Sequence, residues 1–143
     1  MKNFDSFKKE LNSYVKDSDG NPLLVYHGSL DPGLTFKDGS ITFFSDSLEV
    51  AKEFSDPLYL FGSSVDLLPG EVPTIYMGYI KASNPLILTK HEDYENIMVD
   101  LIDASGFIND GYDSLFYIPE DGGVNYYVIF QSSQVVITDV VTR

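Results

Sequence analysis

Residues 20–28, Gly-Asn-Pro-Leu-Leu-Val-Tyr-His-Gly, place a turn, an apolar strand and a strand-end histidine in immediate succession. The turn begins earlier, in Asp17-Ser-Asp-Gly-Asn-Pro22, where Asp, Asn, Gly and Pro each favour a bend of the backbone. Leu23–His27 then reads as a strand stopped by Gly28. A histidine beside glycine lets a ligand approach the main chain closely, with the imidazole as a hydrogen-bond donor. A lone histidine is more often structural, so His27 carries both readings at this point.

Working outward, Phe4, Phe7, Leu11 and Tyr14 or Val15 recur at helical spacing, which predicts an amphipathic helix over 3–15. Asp31-Pro-Gly33 is a further turn and Ile41–Phe44 a short strand. Asp46 followed by Glu49 resembles a capping box and predicts a helix over 47–55, with Leu48, Val50, Ala51 and Phe54 on one side. Residues 56–72 read as a loop or flap. Pro73–Lys81 is a strand closed by Asn84-Pro85. Thr89 with Glu92 opens a helix in which Tyr94, Ile97, Met98, Leu101 and Ile102 share a face, and Gly106 ends it. Ser114–Ile118, Asn125–Phe130 and Val135–Val141 are three more strands, the first two joined tightly through Glu120-Asp-Gly-Gly123. The class is α+β, one domain over residues 1–143, with an antiparallel-rich sheet system and small helices.

Composition narrows the chemistry. The 143 residues carry 22 acids against 9 bases, a net charge of −13, yet 43% are apolar and 14% aromatic, so the chain is globular rather than disordered. The absence of cysteine excludes disulfides, thiolate nucleophiles, zinc ribbons and iron–sulfur ligation. No apolar run approaches a membrane span, and the opening MKNFDSFKKEL lacks the core of a signal peptide, which points to the cytoplasm and away from membranes. So acidic a surface argues against direct binding to nucleic acid. The acidity is lopsided: His91–Asp121 holds nine acids and no Lys or Arg. Such a run is either a solvated face or a surface for a basic protein partner.

P-loop, Gly-x-Ser-x-Gly and HExxH patterns are missing, and two distant histidines, His27 and His91, do not make a metal site. No EF-hand register fits residues 100–113. Phe43, Phe44 and Phe54 read equally as core aromatics or as walls of a pocket for a flat ring.

Five elements occur in order: Gly20–Gly28, Ile41–Asp46 with a helix ending at Phe54, Asn84-Pro-Leu86, Gly111-Tyr-Asp113, and Tyr127-Val-Ile-Phe-Gln-Ser-Ser-Gln-Val135. Together they resemble the ADP-ribosyltransferase fold, particularly the polyvalent-protein transferases of phages and mobile elements and, more distantly, the poly(ADP-ribose) polymerases. The resemblance covers about residues 17 to 138. It implies a pair of packed antiparallel sheets with an NAD cleft between them and a His-Tyr-Glu pattern. The family histidine falls at His27, flanked by Tyr26, Gly28 and Ser29. His27 is expected to bond the ribose, and Gly28 to offer its backbone to the carboxamide. The family tyrosine falls at Phe43 or Phe44, with Ser45 as a carboxamide donor and Phe54 as the second ring wall. At the glutamate position stands Tyr126, which cannot supply a negative charge. Glu120 and Asp121, on the loop before that strand, are the substitute acids, a placement similar to that in small phage anti-CRISPR transferases. Gln134 reads as structural. With Arg143 the only arginine, NAD would be held by stacking, backbone N–H groups, serines and a lysine.

The resemblance therefore implies an NAD-dependent mono-ADP-ribosyltransferase acting on a basic-surfaced protein, with no metal. The alternative is a catalytically inactive protein of the same fold whose acidic face blocks a basic partner.

Overall fold

The computed structural model describes residues 15–56, 67–100 and 105–142. Among the described residues it is a mixed structure of seven strands and three short helices. The strands are β1 Val25–Ser29, β2 Thr42–Ser45, β3 Thr74–Ile80, β4 Pro85–Leu88, β5 Ser114–Tyr117, β6 Tyr126–Ile129 and β7 Val135–Thr142. The helices are α1 Leu48–Phe54, α2 His91–Asp100 and α3 Ser105–Asn109. Residues 3–14 of the expected helix, most of the expected flap, and Leu101 and Ile102 lie outside the described residues; Val15 is described and is not helical. Among the described residues no helix is long and apolar enough to cross a membrane.

The α+β class holds; the expected pair of sheets does not appear as such. Hydrogen bonds link all seven strands in the order β4-β5-β6-β2-β1-β3-β7, and β4–β5 is parallel. Continuity is thinnest between β1 and β2, which share one pair, Tyr26↔Ser45. The sheet is strongly curled. Four residues, five Cα-to-Cα steps, carry the chain from the end of β3 to the start of β4, five strands away in the sheet. In a flat sheet those strands would lie about 24 Å apart, beyond the roughly 18 Å that five extended steps reach.

A polar clasp holds the curl. The Asp113 carboxylate accepts from the backbone N–H of Ser83 at 2.6 Å and of Asn84 at 3.0 Å, and the Asn84 amide donates to the Gly111 carbonyl at 2.7 Å. Gln134, 7% exposed, adds four bonds. Its Oε1 accepts from Phe130 and Gln131 N–H at 3.0 and 2.9 Å, and its amide nitrogen donates to the carbonyls of Asp113 and Lys81 at 2.8 and 3.5 Å. The ends of β3 and β6 and the starts of β5 and β7 are thereby tied together.

Two apolar clusters fill the interior. Val25, Phe44, Ile80, Phe116, Tyr127 and Ile129 form one, and Leu115, Val128 and Phe130 form the other, with Tyr94, Ile97 and Phe107 of α2 and α3 against it. Alternate residues of β5 and β6 thus bury both faces, as their period of two requires.

Several boundaries differ from expectation, each for a local reason. Leu23 is not in β1, since its N–H bonds the Val15 carbonyl, and β1 runs through Gly28 to Ser29↔Thr74. The N-cap of α1 is Ser47, whose hydroxyl accepts from Val50 N–H at 3.3 Å; the Asp46 carboxylate accepts from Asn125 instead. Thr89 does not cap α2 but donates its hydroxyl to Glu120. Gly106 lies inside α3. Strand β4 follows Asn84 directly and begins at Pro85; a proline is tolerated as the first residue of an edge strand.

Candidate functional site

Residues paired directly across strands point to the same face of a sheet. The register Tyr117↔Tyr126, Tyr126↔Ser45 and Ser45↔Tyr26 therefore lays a row of Tyr, Tyr, Ser and Tyr across β5, β6, β2 and β1. Above this row lies a pocket of about 380 Å³, flanked by Val50, Ala51 and Phe54 of α1 and by His91 and Tyr94 of α2. Phe43, Phe44, His27 and Gly28 complete it where β1 and β2 part. Among the described residues its lining holds no Asp, Glu, Lys or Arg.

Seven of the eight residues singled out for cofactor binding line this one pocket: Tyr26, His27, Gly28, Phe43, Phe44, Ser45 and Phe54. Ser29 does not; its hydroxyl accepts from Asp31 N–H in a local turn. Of the residues assigned to catalysis, His27 and Tyr126 line the pocket, whereas Glu120 and Asp121 do not. Glu120 is bonded to Thr89, and Asp121 accepts from Gly123 N–H within the β5–β6 turn. Val50, Ala51, His91, Tyr94 and Tyr117 were not singled out. The alternation of β5 carried a signal for Tyr117, two residues from the buried Leu115.

His27 is not the donor its strand-end position suggested. Its Nδ1 lies 2.6 Å from the Phe43 carbonyl, which can only accept, so the proton sits on Nδ1. Burial holds the imidazole below its ordinary pKa, partly offset by this bond, so the ring is neutral at pH 7 and Nε2 is an acceptor. Phe36, Phe44 and Tyr76 pack around it at centroid distances of 5.8, 5.4 and 6.2 Å. Gly28 lines the pocket and also packs against α1. A Cβ there would stand 1.8 Å from the Ala51 carbonyl oxygen, so the missing side chain admits the backbone of α1.

The two phenylalanines before Ser45 part company. Phe44 is 1% exposed in the core, whereas Phe43 is 39% and Phe54 43% exposed, so Phe43 and Phe54 are the rings open to a ligand. Ser45 is buried and accepts from Ser47 N–H at 2.9 Å, which leaves its hydroxyl hydrogen available.

At the far end three tyrosine rings lie nearly parallel. Tyr94 stacks on Tyr117 at 4.5 Å and on Tyr126 at 5.8 Å, and Tyr117 lies 6.4 Å from Tyr126. Burial, then the neighbouring Tyr126 and Tyr117, push Tyr94 up to about 12. Tyr117 is pushed up by burial and then by the charges of Asp121 and Glu95. Both phenols stay protonated at neutral pH.

The lowered His27 pKa has a consequence for stability. Between the ordinary 6.5 and the depressed native value, the unfolded chain binds the proton and the folded one does not, so stability falls as the pH drops through that window. Urea unfolding at a series of pH values should show a shallower slope there for His27→Gln than for the parent. Equal slopes would mean that His27 titrates normally.

No protein-family model matches the chain, and no curated protein matches it.

Proposed function

We propose that the chain is an NAD-dependent mono-ADP-ribosyltransferase, with the ring-walled pocket at the β1–β2 seam as the site for the nicotinamide half of NAD. The observation that carries this reading is the gathering of Phe43, Phe54, Tyr26 and a neutral His27 around one pocket free of charged side chains among the described residues. The nicotinamide of NAD is a flat cation, and aromatic faces attract such a ring by about 0.5–2 kcal/mol each. The pocket volume of about 380 Å³ is in keeping with the nicotinamide–ribose half. The absence of Lys and Arg from the described lining leaves the pyrophosphate outside it.

In this reading Phe43 and Phe54 bracket the ring and Ser45 donates to the carboxamide. His27 Nε2 accepts from a ribose hydroxyl. The bond from the ribose to nicotinamide breaks, nicotinamide leaves neutral, and a nucleophile of the target protein bonds the same ribose carbon and gives up its proton. The carboxylate that favours the developing positive charge is assigned to Asp121 or Glu120 on the β5–β6 turn, outside the pocket lining and bonded to Gly123 and Thr89 respectively. A second reading, a binding protein without turnover, is favoured by one observation: Tyr126 lines the pocket and no described carboxylate does.

Incubation with NAD labelled in the adenylate and a bacterial lysate tests transfer through nicotinamide release and labelled protein. Phe43→Ala and Phe54→Ala should each weaken nicotinamide binding about tenfold with the melting temperature unchanged, because both rings are exposed. Nicotinamide binding without release selects the second reading. Calorimetry that detects neither nicotinamide nor NAD defeats the transferase reading and leaves the binding reading, which needs no NAD.

A further inference from the structure

The pocket has two chemically different ends. Three strand spacings separate Tyr117 from Tyr26, about 14 Å along the sheet. A ring held by Phe43 and Phe54 at the β1–β2 end does not fill the other.

Tyr117 is only 6% exposed and lines the pocket, yet among the described residues nothing hydrogen-bonds its phenol. Such a group is ordinarily satisfied by water or a ligand. Its ring belongs to the near-parallel stack with Tyr94 and Tyr126, whose planes lie within 16° of one another. His91 sits beside it, 6.1 Å from the Tyr117 ring, and is itself bonded to Glu95 at 2.8 Å. Asp121 follows on the β5–β6 turn.

We propose that the tyrosine end, formed by Tyr94, Tyr117 and Tyr126 with Asp121 and Glu95 beside it, is a separate subsite that receives a guanidinium side chain from a protein partner. A guanidinium is planar and weakly hydrated, so it adds a layer to parallel rings where a hydrated ammonium does not. Its N–H groups donate to the unpartnered Tyr117 oxygen, and the carboxylates supply the countercharge. The negative charges that disfavour a Tyr117 phenolate favour a cation in the same place. The subsite does not depend on NAD; if the transferase reading also holds, this is where the target protein lies.

The test uses the full chain without NAD and the probe N-butylguanidinium, with N-butylurea as its uncharged analogue, followed by calorimetry and by the tyrosine ring resonances. N-butylguanidinium should bind about tenfold more tightly than the urea. Asp121→Asn, which keeps the acceptor for Gly123 N–H, should narrow that gap about threefold. Tyr117→Phe, which keeps the ring, should also weaken the probe. Saturating nicotinamide should leave the probe's affinity unchanged. Equal affinity for probe and urea, displacement of the probe by nicotinamide, or indifference to both substitutions would overturn the proposal. Failure of nicotinamide itself to bind would defeat the transferase reading alone.

Discussion

Gln134→Ala is expected to destabilise the protein by about 4 kcal/mol, because it leaves buried polar groups unpartnered at about 1–3 kcal/mol each. The groups are the N–H of Phe130 and Gln131 and the carbonyls of Asp113 and Lys81. They belong to three different strand ends, those of β3, β5 and β6, so the loss is felt across the curl and not in one turn. Gln134→Glu separates hydrogen bonding from packing. It keeps the acceptor for the two N–H groups but turns a carboxylate oxygen toward two carbonyls, which favours the protonated form of the glutamate. The folded variant then holds a proton that the unfolded chain has released, so its stability should rise relative to the parent as the pH falls toward 4.3. Urea unfolding of both variants checks this. A loss below about 1 kcal/mol for Gln134→Ala would mean that water replaces the amide.

That corner also shows how much of the molecule the sequence carried. Asn84-Pro-Leu86, Gly111-Tyr-Asp113 and the Gln131–Val135 stretch were separate signals in the chain. The fold brings them together as one clasp through Asn84, Asp113 and Gln134. The remaining two elements, around His27 and from Phe43 to Phe54, meet at the pocket. The ordered elements therefore divide into those that close the curl and those that line the site.

What stayed hidden has physical causes. Strand β4 is Pro-Leu-Ile-Leu directly after a turn, and four apolar residues show no alternation to read. Its parallel pairing with β5 is a long-range contact that no local pattern encodes. His91 and Tyr94 reach the pocket because α2 lies across β5 and β6, and periodicity assigns a face without saying what that face meets. The tautomer of His27 was equally illegible, since it is set by the carbonyl of Phe43, sixteen residues away. The charge balance reads differently once the elements are placed. Among the described residues, most of the acids of 91–121 are exposed, and two of these, Glu95 and Asp121, stand close enough to a buried tyrosine to alter its titration.

Gly28→Ala, which tests the packing of α1 against β1, should be strongly disruptive. The added carbon would meet the Ala51 carbonyl oxygen at 1.8 Å, its carbon at 2.8 Å and Phe54 Cβ at 3.2 Å. Two of these atoms are main chain and Ala51 is 2% exposed, so no side-chain rotation relieves the contact and the helix itself must lift. Overpacking of this kind costs about 3 kcal/mol or more. Lifting α1 also moves Val50, Ala51 and Phe54 away from the pocket, so nicotinamide affinity should fall with stability. Gly106→Ala is the contrast. Nothing lies within 4 Å of a Cβ there and its φ is not positive, so inside α3 the change should stabilise by about 0.5–1 kcal/mol and leave ligand binding alone. Chemical denaturation and nicotinamide titration of both variants separate a glycine kept for the helix from one kept for a ligand. If Gly28→Ala loses affinity with no loss of stability, the glycine is there for a ligand after all.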